Sequence, residues 1–325
     1  GGLLLSGSDD QAVDVWAQCN GGGFKLSASV WTGHLHNIFA AQFLPGASGA
    51  RCVTTAADGA VRHIDLTKAL AAGPDWGRGV AVPALCSTLL WDGETSGMGM
   101  RLAFLPGSAH VFLSTHQDGT VRLFDLRQRP PLRGSANLVV DLHNGGAASD
   151  LCFDPSRPHV LALGGEDPYV RLYDVRHPPG EESRATAGCL LRLVPEELRA
   201  GRPRPRVDGV SGIAISRAGE LVATYRGADV YAFDVRRPAA EAELASKATK
   251  VFRGRRNVDT FLKGVCYLCG DRYVATGSDC GRLFIWDADA RGEGGGGGAG
   301  PSPPAGGEPD DMDAIMAPPQ GAEAG

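Results

Sequence analysis

An all-β chain, built as a radial array of short antiparallel sheets, is predicted by three observations. Short apolar segments recur along the first 290 residues, each ending at an Asp-containing turn and followed by an alternating strand that closes on Asp or an aromatic residue. Several of these units are preceded by a further strand that ends in a Pro turn. Glycine (46) and proline (21) make up about one residue in five of the 325, which disfavours a helical bundle.

The units read, in order, LLLSGSDDQAVDVW (3–16), CVTTAADGAVRHIDL (52–66), VFLSTHQDGTVRLFDLR (111–127), VLALGGEDPYVRLYDVR (160–176), LVATYRGADVYAFDVRR (221–237) and YVATGSDCGRLFIWD (273–287). Their turn aspartates are Asp9, Asp58, Asp118, Asp167, Asp229 and Asp279, spaced by 49, 60, 49, 62 and 50 residues. That is longer than the ~40–45 residues of a compact four-stranded propeller blade, so the surplus belongs in loops. Asp58-Gly59 and Asp118-Gly119 are short-hairpin signals, because Gly accepts the positive φ such turns need. The preceding strands are IFAAQFLPG (38–46), MRLAFLPG (100–107) and SDLCFDPS (149–156), giving each such unit at least three strands. About six units are visible, the first and last incomplete, and a ring left open would expose two strand edges.

Hydrophobic residues make up 43% and charged residues 21%, and no run reaches the ~18 apolar residues of a membrane span. The formal charge of −5 is unevenly placed: residues 292–325 hold six acids and no Lys or Arg, which leaves the rest at +1. A near-neutral body argues against direct nucleic-acid binding. The expected domains are a β-propeller over 1–291, with a loop insertion at 177–208, and a disordered Gly/Pro/acidic tail over 292–325. Eight scattered cysteines in a chain this long read as reduced thiols, hence a nuclear or cytoplasmic setting.

Candidate chemistry is sparse. Cys266 and Cys269 have zinc-type spacing but no second ligand pair, so they are expected to pack in a strand, and neither metal nor cofactor is predicted. Ser8, Thr55, Ser114 and Thr276 lie before turns without a nucleophile elbow, and no catalytic set is proposed. Gly294 to Gly298 lacks a following Lys-Ser/Thr and reads as a linker. The turn aspartates cap their own turns. Arg127, Arg176 and Arg236 each stand two residues after a blade-closing Asp and would line one rim of the disc, free to engage a partner or paired to that Asp.

The repeats resemble WD40 repeats, with the Trp-Asp pair at Trp286-Asp287 and aromatic variants at Phe124-Asp125, Tyr173-Asp174 and Phe233-Asp234. The Gly-His element is Gly33-His34, where a buried His would bond towards its turn Asp, while His36 reads as a surface residue; the last unit carries Arg255 in place of His, predicting a looser blade. The aromatic-Asp-x-Arg endings, with the ordered set GSDDQAVDVW, GHLHNIFAAQFLPG, CVTTAADGAVR, ALGGEDPYVRLYDVR, AGELVATYRGADVYAFD and ATGSDCGRLFIWD, are similar to substrate receptors of cullin-4 RING ubiquitin ligases of the cullin-4-associated factor 8 type, and less closely to types 5 and 6. That family has seven blades. The resemblance implies a non-enzymatic substrate receptor that binds the ligase's damaged-DNA-binding adaptor and an unknown protein substrate. Its adaptor-binding set would be Asp118, Asp125, Arg127, Asp167, Asp174 and Arg176, with Asp234 and Arg236 less well matched because Asp229 and Asp234 lie 5 apart instead of 7. The alternative is a WD40 scaffold unconnected with ubiquitin.

Overall fold

The computed structural model describes residues 2–72, 86–94, 96–142, 146–176, 188–199, 209–236, 247–259 and 264–289. Six antiparallel sheets follow one another along the chain. The first holds β1 (Leu3–Gly7), β2 (Ala12–Gln18) and β3 (Phe24–Trp31). Four complete sheets follow: β4 (Ile38–Phe43) to β7 (Ser87–Trp91), β8 (Gly99–Phe104) to β11 (Leu138–Asp141), β12 (Ala148–Phe153) to β15 (Cys189–Leu193), and β16 (Val210–Ile215) to β19 (Lys250–Phe252). The sixth holds β20 (Val265–Leu268), β21 (Tyr273–Gly277) and β22 (Leu283–Asp287). Each is a meander, and from the first sheet to the sixth the first strands of successive sheets pack against one another, which is the architecture of a β-propeller.

A local irregularity recurs. In all four complete sheets the register slips once near the start of the first strand: at Ile38/Ala40, Gly99/Arg101, Ala148/Asp150 and Val210/Gly212. An extra residue there bends the strand and increases its twist where sheets crowd towards a common axis.

Packing between sheets explains why the strands lack a polar face. Val61, Val121, Val170 and Val230 stand four residues before the closing Asp of their third strands, and all are fully buried. Val230 and Ala232 of the fifth sheet pack with Val222 against Val274 and the partly buried Trp286 of the sixth. The matching position in the sixth sheet, Leu283, is 66% exposed, and Ile285 is 53% exposed. Among the described residues β22 pairs only with β21 and β1 only with β2, so both strands keep a free edge.

Part of the expected insertion at 177–208 is instead structural. Leu191 and Leu193 are buried, and β15 is the fourth strand of its sheet because its alternating apolar side chains meet β14 (Val170–Asp174) and the fifth sheet. Pro195 and a short 3-10 turn at Glu196–Leu198 then lead away, and Glu197 accepts a hydrogen bond from the Tyr231 hydroxyl at 2.7 Å. Residues 177–187 and 200–208, and the tail from 292, lie outside the described residues. A six-residue helix, α1 (Thr67–Ala72), follows the third strand of the second sheet; Asp65 accepts from the Thr67 amide at 2.9 Å, and Ala69 packs into the core between the first two sheets.

Buried polar side chains on the second strands add a pH dependence. His116 is fully buried with Nε2 2.7 Å from the Ser114 hydroxyl. Burial, helped by the positive Arg122, pushes its imidazole from 6.5 down to about 3, so the folded chain holds it neutral. Between those values the unfolded chain takes up a proton that the folded one refuses, so stability falls as pH falls. Urea denaturation is expected to show a loss of about 3 kcal/mol from this group on going from pH 7 to pH 4. His116→Gln should flatten that slope, and an unchanged slope would remove the attribution.

Candidate functional site

The propeller has two faces, and the turns between second and third strands lie on one of them. There His34, in the loop before β4, is fully buried. Its Nδ1 lies 3.1 Å from both carboxylate oxygens of Asp58, and its Nε2 lies 2.9 Å from the hydroxyl of Thr54 on β5 (Arg51–Ala56). Asp58 also accepts the amides of Leu35 (2.8 Å) and Ala60 (3.0 Å), so one carboxylate ties the loop to the hairpin turn. Burial alone would push the Asp58 carboxyl up; the imidazole and the two amides outweigh it and draw it down to about 2.

The opposite face carries the closing aspartates. At the end of β10 (Thr120–Asp125), Asp125 Oδ1 accepts from the Arg127 amide (3.0 Å) and Nε (2.9 Å), and Oδ2 accepts from Nη2 (2.7 Å). The same figure recurs one sheet on: Asp174, closing β14, accepts from the Arg176 amide (3.0 Å), Nε (2.9 Å) and Nη2 (2.6 Å). These two-point bonds hold the Asp125 carboxyl at about 2 and that of Asp174 well below the usual carboxylate range. Both guanidinium groups stand out into solvent, with side chains 64% and 59% exposed. The third arginine behaves differently. Its amide donates to Asp234 at 3.0 Å, but its Nη2 turns to the carbonyl of Arg217 at 3.1 Å and its side chain lies over Gly219.

The recurrent sheets, the His34–Thr54–Asp58 chain of hydrogen bonds and the repeated Asp-x-Arg endings invite comparison with known proteins. No protein-family model matches the chain. It is 33% identical over 152 residues to "Protein ALTERED SEED GERMINATION 2" of Arabidopsis thaliana, covering 45% of this chain and 19% of that protein. It is 34% identical over 128 residues to human "WD and tetratricopeptide repeats protein 1", covering 39% and 16%. Human "DDB1- and CUL4-associated factor 6" is 28% identical over 127 residues, covering 39% and 13%. This chain is a β-propeller similar to WD-repeat proteins. The matched stretches span a fifth or less of the length of these relatives.

Of the eight residues singled out in the sequence, the structure brings Asp125, Arg127, Asp174, Arg176, Asp234 and Arg236 to one face of the propeller. Asp118 and Asp167 lie at the other end of the same third strands, one strand length from the arginines, and serve their own turns. Asp118 Oδ1 accepts from the amide (2.9 Å) and hydroxyl (2.6 Å) of Thr120. Asp167 Oδ1 accepts from the Tyr169 amide (3.2 Å) and from Arg171 Nη1 (2.8 Å). A spacing of seven residues puts the two members of the motif at opposite ends of one strand.

Other expectations divide. His34 bonds to its turn Asp, and Arg255 takes the corresponding place in the sixth sheet, where its contacts to the Gly277 carbonyl (3.3 Å), the Tyr225 carbonyl (3.4 Å) and the Ser211 hydroxyl (3.5 Å) are long. Burial pulls its guanidinium down to about 10. Cys266 and Cys269 do not pack as expected; both are exposed, because β20 turns Cys266 to the uncovered side of the sixth sheet and Cys269 falls in the turn after it. None of the eight cysteines, all among the described residues, is in a disulfide.

Sequence reading passed over two features. Thr54, not Thr55, completes the His34 chain, a difference of one residue that swaps strand faces. Arg122 and Arg171, each directly after the fully buried Val of its third strand, are buried, and the Arg122 guanidinium stacks 3.9 Å from the centroid of Trp91. The signal was present in the repeated Val-Arg of VRHID, VRLFD and VRLYD.

Proposed function

We propose that this propeller is a substrate receptor of a cullin-4 RING ubiquitin ligase, which docks on the ligase's damaged-DNA-binding adaptor and presents a bound protein for ubiquitination in the nucleus or cytoplasm. The observation that carries the reading is the pair of matched forks at Asp125/Arg127 and Asp174/Arg176 on neighbouring sheets. An arginine has five N–H donors; a fork that spends Nε–H and one Nη2–H on its own aspartate leaves the outer ones for a partner's carbonyls or carboxylates. The aspartate fixes each guanidinium before docking, which lowers the ordering cost of binding. Support also comes from the similarity to a relative named for its association with DDB1 and CUL4. In this reading Asp234 and Arg236 are peripheral, and Asp118 and Asp167 support the strands that present the forks.

The test is retention of purified adaptor by the propeller. Arg127→Glu with Arg176→Glu is expected to weaken it by at least about 30-fold, with an unchanged melting temperature, since truncating a docked charge costs about 2–5 kcal/mol. No retention by the wild type would overturn the reading, and equal retention by the double variant would remove the forks from it.

A further inference from the structure

On the face opposite the arginines, two large apolar side chains stand in the open beside each other's support. Leu35 is 71% exposed and Trp31 40% exposed. Both are held through Gln11: its Nε2 donates to the Leu35 carbonyl, and its Oε1 accepts from the Trp31 indole, each at 3.3 Å. Gln11 adopts φ 67°, a left-handed conformation unfavourable for a residue with a side chain. Its carbonyl accepts both the amide (3.1 Å) and hydroxyl (2.8 Å) of Thr32, which clamps the loop to the turn. The Leu35 amide is fixed by Asp58. The Trp31 indole and the Leu35 backbone are therefore both fixed before any partner arrives, and an exposed Trp held in this way is the kind of side chain that anchors interfaces, with Leu35 adding apolar area. Asp9 and Asp10, both exposed, sit in the same turn as Gln11.

We propose that Trp31 and Leu35 form an anchor site for an extended segment of a partner protein that offers an apolar side chain flanked by Lys or Arg. The apolar pair supplies the contact that loses water, and the neighbouring carboxylates choose the sign of the flanking charge. Placement on the face away from Arg127 and Arg176 lets one propeller hold this segment and the adaptor together. The link to a ligase substrate rests on the function proposed above; the binding itself does not.

The probe is a pair of synthetic peptide sets of about twelve residues, each with a central Leu-Phe flanked by lysines in one set and by glutamates in the other. Binding to the full chain is measured by fluorescence anisotropy at low and at 0.15 M salt. The lysine set is expected to bind and the glutamate set to fail, with Leu35→Asp weakening binding by at least about tenfold. Asp9→Lys should weaken the lysine set chiefly at low salt. Leu35 is exposed, so Leu35→Asp should keep the wild-type melting temperature. No binding by either set, equal binding by both, or lysine-set binding unmoved by Leu35→Asp would each overturn the proposal. Arg127→Glu/Arg176→Glu should leave peptide binding intact, so a failed adaptor test and a failed peptide test are told apart.

Discussion

Replacing His34 by alanine is expected to lower the unfolding free energy by about 3–4 kcal/mol, close to the cost of breaking a buried polar pair. The imidazole links Asp58 of the hairpin turn to Thr54 of the second strand, and all three sit where water does not reach freely. Removing it strips the Thr54 hydroxyl of a bond at a fully buried position and leaves Asp58 with only the backbone amides. Acid behaviour gives a second readout. The folded-state carboxyl of Asp58 is depressed from 3.8 to about 2, so its stabilisation is present above 3.8 and lost as pH falls through about 2. Without the imidazole the carboxyl rises, and the acid unfolding midpoint should move to higher pH. Urea denaturation at pH 7 and an acid titration followed by circular dichroism measure both. A change of under about 0.5 kcal/mol would place the stability of the second sheet elsewhere.

Gly93→Ala is expected to cost about as much, by a different route. Gly93 and Gly59 meet back to back where the loop after β7 crosses the hairpin of the second sheet, each at φ 74°. A methyl group on Gly93 would fall 2.5 Å from the Gly59 carbonyl oxygen and 2.6 Å from the Ala60 amide nitrogen. These neighbours are backbone and cannot swing aside as a side chain would. Positive φ adds about 1 kcal/mol for any residue with a Cβ, and forced overpacking a further 1–3 kcal/mol. A fall of about 3 kcal/mol, or loss of soluble folded protein, is the expected result. Gly46→Ala is the control: it shares the positive φ at 74° but meets nothing within 4 Å, so it should show only the smaller conformational penalty.

Much of the fold was legible because the punctuation is local. Asp58-Gly59 and Asp118-Gly119 announce hairpins, and the alternating segments on either side announce paired strands. The fourth strands were harder to see. Cys189–Leu193 is short and follows a Pro/Glu-rich stretch, so its apolar alternation resembled loop sequence until a neighbouring sheet was there to bury it. Lys250–Phe252 is only three residues long. The arginine forks were visible as a repeated offset, with the closing Asp as one of two open readings for each Arg; choosing between them needed the turn at the strand end that brings Arg127 onto Asp125, and the different path of Arg236 lies over the bare Gly219. Thr54 and Thr55 could not be ranked without knowing which face of β5 looks at His34.

The uncovered side of the sixth sheet also governs how the molecule comes apart. In a row of sheets that each lean on their neighbours, stability is shared as in a stack of tiles, and a tile held from one side is the first to slip. Leu283 and Ile285 gain nothing from the contact that Val230 and Ala232 enjoy one sheet earlier. Among the described residues the first and sixth sheets are the two ends of that row, so opening is expected to start there, with the exposed β22 foremost, while the arginine-bearing third and fourth sheets, each held from both sides, stay in shape.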